Sequence, residues 1–202
     1  MVMSVISGIR RIFGKKEAEA TLDTYACFPV FQMLERKVPF NDWRWPDTNI
    51  PTGLEEFFQG CVWMYQLYWF YILTAQRYGD EIADNVIRIQ VDALSKVSVE
   101  LGNQHETGIR HIQNTIVSLL NKPYVPEVEG KRIEMPTEYM LAIDFLVTGK
   151  EAPFHVEREQ VSGGNVPKMK DAPLALAECL AHGKLSARKY FSTVIETVRI
   201  VL

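Results

Sequence analysis

A chain of 202 residues, 47% apolar and 23% charged, can bury the core of one large domain or two small ones, and is too apolar to be disordered over most of its length. A net charge of −3 argues against general nucleic-acid binding, which needs a basic surface. The three cysteines, Cys27, Cys61 and Cys179, are far apart and form no C-x-x-C, which argues against a disulfide framework or thiolate metal site and suits a reducing cytosol.

In residues 1–14, Val2, Val5, Ile6, Ile9, Ile12 and Phe13 recur at helical spacing, with Ser4, Ser7, Arg10 and Arg11 opposite them. Lys15 and Lys16 follow Gly14, so residues 1–16 carry +4 and the rest of the chain −7, the two summing to −3. The pattern predicts a short basic amphipathic helix. On an anionic membrane surface or an acidic partner, Ile6, Ile9 and Phe13 would face down and Arg10, Arg11, Lys15 and Lys16 would meet the anions. The same helix can instead dock on the domain's own core, or serve as an organellar transit segment, rich in Arg and Ser and free of acids. The two arginines interrupt the apolar run, so no secretory signal is expected.

Residues 17–37 predict a helix broken or restarted near Pro29, with Phe28, Phe31 and Leu34 on its apolar face. Residues 38–51 hold prolines at 39, 46 and 51 and read as a connector. Its two tryptophans, Trp43 and Trp45, either tuck into the domain edge or anchor a protein partner.

The most apolar stretch is residues 52–78. Positions 57–76 carry no charge, and eight of those twenty are aromatic. Thr52 and Glu55 form a T-x-x-E capping box, and Gly79 is the expected stop. Twenty uncharged residues also suffice to span a bilayer. Against that, Trp63, Tyr65, Tyr68, Trp69 and Tyr71 sit mid-helix, whereas membrane helices concentrate Trp and Tyr at the interfaces. Gln59, Gln66 and Gln76 add a desolvation cost. A buried core helix is expected, with a single span through 57–76 as the alternative. Gln59, Trp63, Gln66, Phe70 and Thr74 share one face at spacings of three and four. They can line an aromatic and amide pocket for a planar or amphipathic ligand, or the amides can tie helices together.

Helices over 80–101 and 103–121 should flank this one and complete a core over 52–122, joined by short turns that favour antiparallel neighbours. Asp80 is the expected N-cap of the first and Gly102 its stop; Asn103 with Glu106 should cap the second. After Lys122, six prolines between 123 and 173 mark an irregular segment over 123–171. It should hold a short helix over 137–148 and an exposed loop over 154–161. Helices over 172–182 and 185–202, separated by Gly183, should close the chain, and the β-branched end of the last also reads as a strand.

No P-loop, G-x-G-x-x-G, H-E-x-x-H or G-x-S-x-G is present. His105 and His111, six apart, point away from each other on a helix and cannot share a metal. His105 is expected at the core's edge and His111 in solvent. Glu55 and Glu56 fall where a helix N-terminus favours carboxylates, and Glu157 and Glu159 read as solvated.

The expected fold is all-α: residues 1–16 as an amphipathic helix, then 17–202 as one bundle of about six or seven helices around the aromatic-rich one. The expected function is that of a non-catalytic interaction or assembly protein, cytoplasmic, acting at a membrane face or as a subunit of a complex. A ligand-binding protein or small enzyme using the aromatic pocket is the alternative, and a single-span membrane protein the next. No catalytic residue, cofactor, metal or nucleic acid is expected.

Overall fold

Eight consecutive residues of the apolar stretch, 61–68, are buried in the computed structural model, so the helix that carries them has no solvent face along two turns. The model describes residues 18–35, 53–123, 125, 127–128, 130–132, 134–148 and 172–201. The protein is a helical bundle. Its described elements are β1 (Ala18–Thr21), α1 (Leu22–Leu34), α2 (Glu55–Tyr78), α3 (Asp80–Ser95), α4 (Val99–Asn121), β2 (Glu127–Val128), β3 (Lys131–Arg132), α5 (Thr137–Thr148), α6 (Ala172–Thr197) and β4 (Val198–Val201). Central α2 packs most extensively against α6, then α3, then α4. The expected flank of 80–101 and 103–121 is thus only part of its surroundings; its main partner is the distant carboxy-terminal helix.

Helix α2 starts at Glu55, whose Oε2 accepts a 2.8 Å hydrogen bond from the Gly53 amide, and Leu54 at the N-cap makes no side-chain cap. Thr52 lies outside the described residues. Gly79 ends the helix as expected and opens α3 in the same residue, so Asp80 is the first residue of α3 rather than its cap. Its φ of +90° is open to glycine and strained for other residues.

Two other glycines are not stops. The break between α3 and α4 falls at residues 96–98, where extended Ser98 restarts the helix, and Gly102 lies inside α4. A Cβ on Gly102 would stand 1.9 Å from Ser95 Oγ and 3.0 Å from Val91 O, so this glycine lets the first turn of α4 close onto the last turns of α3. Asn103 and Glu106 consequently cap nothing and are exposed within α4. Gly183 likewise lies inside a single unbroken α6, where a Cβ would meet Val62 Cγ1 at 2.6 Å. Both positions need a small residue for close helix contact, a demand that leaves no local mark distinguishing it from a cap.

Helix α1 runs through Pro29 without a break. The amide of Gln90, from α3, donates to Ala26 O at 2.8 Å, one turn before the proline, and supports a carbonyl in the region that a proline disturbs. Residues 18–21 form a strand rather than the start of this helix, and Thr21 caps α1 by accepting from the Thr24 amide at 3.3 Å. Strand β1 pairs in parallel with β4, Ala18 opposite Val198 and Glu19 opposite Arg199, with Ala18, Ala20 and Val198 buried and the charged pair outside. The strand alternative for the β-branched end of the chain is the one observed. A small hairpin pairs β2 with β3 across Gly130.

The deepest large side chains are Tyr65, Phe58, Phe70, Phe145 and Phe191, whereas Trp69 and Ile72 are half-buried. Phe70 packs edge-on to Phe191, centroids 4.9 Å apart, and lies 5.1 Å from Tyr25. No helix among the described residues is long and apolar enough to cross a membrane. The single-span alternative through 57–76 is therefore set aside: freedom from charge is not hydrocarbon character, since Tyr, Trp and Gln all carry polar tips.

Candidate functional site

On the face of α2 expected to line a pocket, Trp63, Gln66, Phe70 and Thr74 are buried and Gln59 is half-buried. Gln66 and Thr74 hydrogen-bond to neighbouring helices. Gln66 Nε2 donates to Gly183 O at 3.4 Å. The Thr74 hydroxyl donates to Phe70 O at 2.8 Å, which leaves the Tyr25 hydroxyl to donate to Thr74 Oγ1, also at 2.8 Å. These groups tie α2 to α6 and α1.

Three further interhelical groupings of polar side chains stand out among the described residues. The first is fully buried. Gln90 spends its amide N–H on Ala26 O, so its Oε1 accepts, and His105 Nε2 must carry the proton that bridges the 2.8 Å between them. The chain His105–Gln90–Ala26 joins α4, α3 and α1. Burial lowers the His105 pKa from 6.5 to about 4, so the ring is neutral. His105 is at the centre of the core rather than at its edge, because Gly102 and Gly108 bring α4 inward around it.

The second lies between α5, α2 and α6. Glu138 Oε1 accepts from Tyr65 Oη at 2.9 Å and from Lys184 Nζ at 2.8 Å. Burial alone would raise the carboxyl's pKa, but the Lys184 and Tyr65 donors and the lysine charge outweigh it and hold the group below its usual value. Burial, with the Glu138 carboxylate beside it, pushes the Tyr65 hydroxyl up. Lys184 Nζ and Arg188 Cζ stand 5.1 and 5.3 Å from the centre of the Trp69 ring, within cation–π range.

The third is at the surface. His111 Nε2 is 2.5 Å from Asp144 Oδ2, joining α4 to α5. With 16% of its side chain exposed, His111 is an interhelical partner and not the solvated histidine its spacing suggested. Asn103, Thr107, Arg110 and Asn114 follow it along an open depression of about 470 Å³ on α4. Arg110 is occupied by Asp84 at 3.1 Å and Gln113 at 3.2 Å.

The carboxy-terminal end of α4 has a different character. Its last buried residue is Ile112, and beyond it Val117 and Leu120 are 51% and 73% exposed. Beside them, Leu119, Leu120 and Pro123 face Met135, Thr137 and Met140 across a cleft of about 90 Å³. The helical stripe through Leu119 is visible in the sequence, but its periodicity cannot show that the core ends before the stripe does.

Among the described residues no group of three His, Cys, Asp or Glu is arranged to hold a metal. Cys27, Cys61 and Cys179 form no disulfide, and burial pushes the Cys179 thiol up to about 12, which keeps it protonated near neutral pH. Ile6, Ile9, Arg10, Arg11, Phe13, Lys15 and Lys16, with Trp43 and Trp45, lie outside the described residues, as do Glu157 and Glu159. No protein-family model, no curated protein and no solved structure matches the chain.

Proposed function

We propose that the protein is a non-catalytic helical interaction module that seats a partner protein at the free end of α4. One observation carries this reading: two large aliphatic side chains, Val117 and Leu120, more than half-exposed on one helix end beside a methionine-lined cleft. Contiguous exposed apolar surface rimmed by polar residues marks contact sites, and flexible methionines adapt to the side chains they receive. An apolar segment of another protein, entering the cleft with its side chains, is the occupant such a surface fits. The polar clusters elsewhere join helices, and the reading assigns them no catalytic part, cofactor, metal or nucleic acid. The basic amphipathic pattern of residues 1–16 supports placing the module in the cytoplasm at an anionic membrane face.

A photo-crosslinking residue at Val117, expressed in the source cell, should yield a discrete adduct with one identifiable protein. Leu120→Glu should abolish that adduct while leaving the melting temperature nearly unchanged. An adduct pattern no different from that of a probe at exposed Asn103, on the polar side of the same helix, would sink the reading. For the membrane face, changing Arg10, Arg11, Lys15 and Lys16 to Gln should abolish sedimentation with anionic vesicles; wild type that ignores vesicles at low salt would remove that part.

A further inference from the structure

Helix α6 seats Gly183 on Val62 and Phe191 on Phe70, and its opposite side reaches solvent. Leu174 and Leu185 on that side are 57% and 64% exposed. They are three turns apart and fall within about 20° of each other around the helix. Glu178, Ala181, Arg188 and Ser192 continue the same line. From Leu174 to Ser192 the steps along the sequence are four, three, four, three and four. That is the spacing of a coiled-coil seam, about 27 Å long at the rise of an α-helix. None of the six is fully buried, and Arg188 is exposed.

We propose that this seam pairs with the same seam of a second copy of the chain, antiparallel about a two-fold axis level with Gly183. The sizes and charges along the seam fit that occupant. The register that sets Ala181 against Leu185 of the second copy also sets Glu178 against Arg188 and Leu174 against Ser192, since the members of each pair lie equally far from position 183. Two-fold symmetry repeats every layer, which gives two ion pairs and two contacts of a small side chain with a large one. The small alanine lets the two backbones approach while the leucine fills the space between them. A parallel alignment would instead oppose Glu178 to Glu178 and Arg188 to Arg188, which like charge disfavours. Lys184, at the flank of the seam, is already paired with Glu138 at 2.8 Å. A seam of this length is a small interface, so the dimer is concentration-dependent. It lies on a different helix from Val117 and Leu120 and does not rest on the interaction reading above.

Sedimentation velocity of the full chain should show a monomer–dimer equilibrium between about 1 and 100 µM. Glu178→Arg alone, or Arg188→Glu alone, should weaken dimerisation at least about tenfold, because each sets like charges against each other in two layers. Mixing the two single variants should restore the dimer, since every layer then regains opposite charges, and only the antiparallel register does this. Carrying both exchanges in one chain should restore it as well. Leu185→Glu should abolish the dimer with the melting temperature nearly unchanged, because Leu185 is largely exposed in the single chain. Wild type that stays monomeric up to about 1 mM overturns the proposal. So does association that the single exchanges leave unchanged, or a mixture no more associated than its components, since the contact would then lie elsewhere or run parallel. If Arg188→Glu does not fold for loss of its place over the Trp69 ring, Glu178→Arg and Leu185→Glu decide.

Discussion

His105 is neutral because the core excludes its charged form, and that makes stability depend on pH in a definite direction. Its folded pKa of about 4 lies below the ordinary 6.5, so as pH falls the unfolded chain takes up the proton first. This contribution is flat above about pH 6.5, falls as pH drops toward 4, and levels off below, for a total loss of about 3 kcal/mol. Glu138, held below its usual value of 4.5, loses its contribution only as pH falls below that value, so the window from 6.5 to 4.5 belongs to His105 between these two. Thermal melts of His105→Leu across that window should be flatter than those of wild type. At pH 7 the variant should be about 1–3 kcal/mol less stable, since Gln90 Oε1 loses its buried donor. An unchanged slope between pH 6.5 and 4.5 would show that His105 is not the group responsible. Phe70, packed between Tyr25 and Phe191, should cost about 3–5 kcal/mol on change to Ala. Half-buried Ile72 should cost less; urea unfolding that ranks the two the other way would misplace the centre of the core.

At the scale of elements, the informative residues are the glycines that admit a neighbouring helix. In an exposed helix, Gly→Ala stabilises by about 1 kcal/mol. At Gly183 the added methyl would meet Val62 Cγ1 at 2.6 Å, where two helices already touch. Gly183→Ala should therefore destabilise, by about 1–3 kcal/mol. Adding Val62→Ala should recover part of that loss although it is itself destabilising, giving a non-additive cycle. A stabilised single variant in urea titration would show that α6 and α2 can separate at no cost there. Gly102 obeys the same rule against Ser95, at the junction of α3 and α4.

Across the whole molecule, the pairing of β1 with β4 brings residues 18–21 beside residues 198–201, and the Tyr78 hydroxyl donates to Val198 O at 2.7 Å. Two four-residue strands are marginal on their own, so their buried faces and this bond hold them to the bundle. Tyr78→Phe should cost about 1 kcal/mol by urea unfolding. A loss near zero would mean that the strand pair contributes nothing to the global transition.

The amino-acid sequence by itself determined the helical class, the identity of the central helix, the stop at Gly79 and the bounds of the helix at 137–148, because each is written in periodicity, missing charge or a backbone preference within a few residues. The tertiary structure decided what those signals share with something else. Gly102 and Gly183 look like stops and are contact points; Pro29 looks like a break and lies within a helix beside a supporting amide from α3; residues 18–21 join a strand partner some 180 positions away. It also decided which apolar stripes are covered. Gln66 and Thr74 became ties between helices, and Val117 and Leu120 became surface, because whether a side chain meets protein or water depends on where distant helices end.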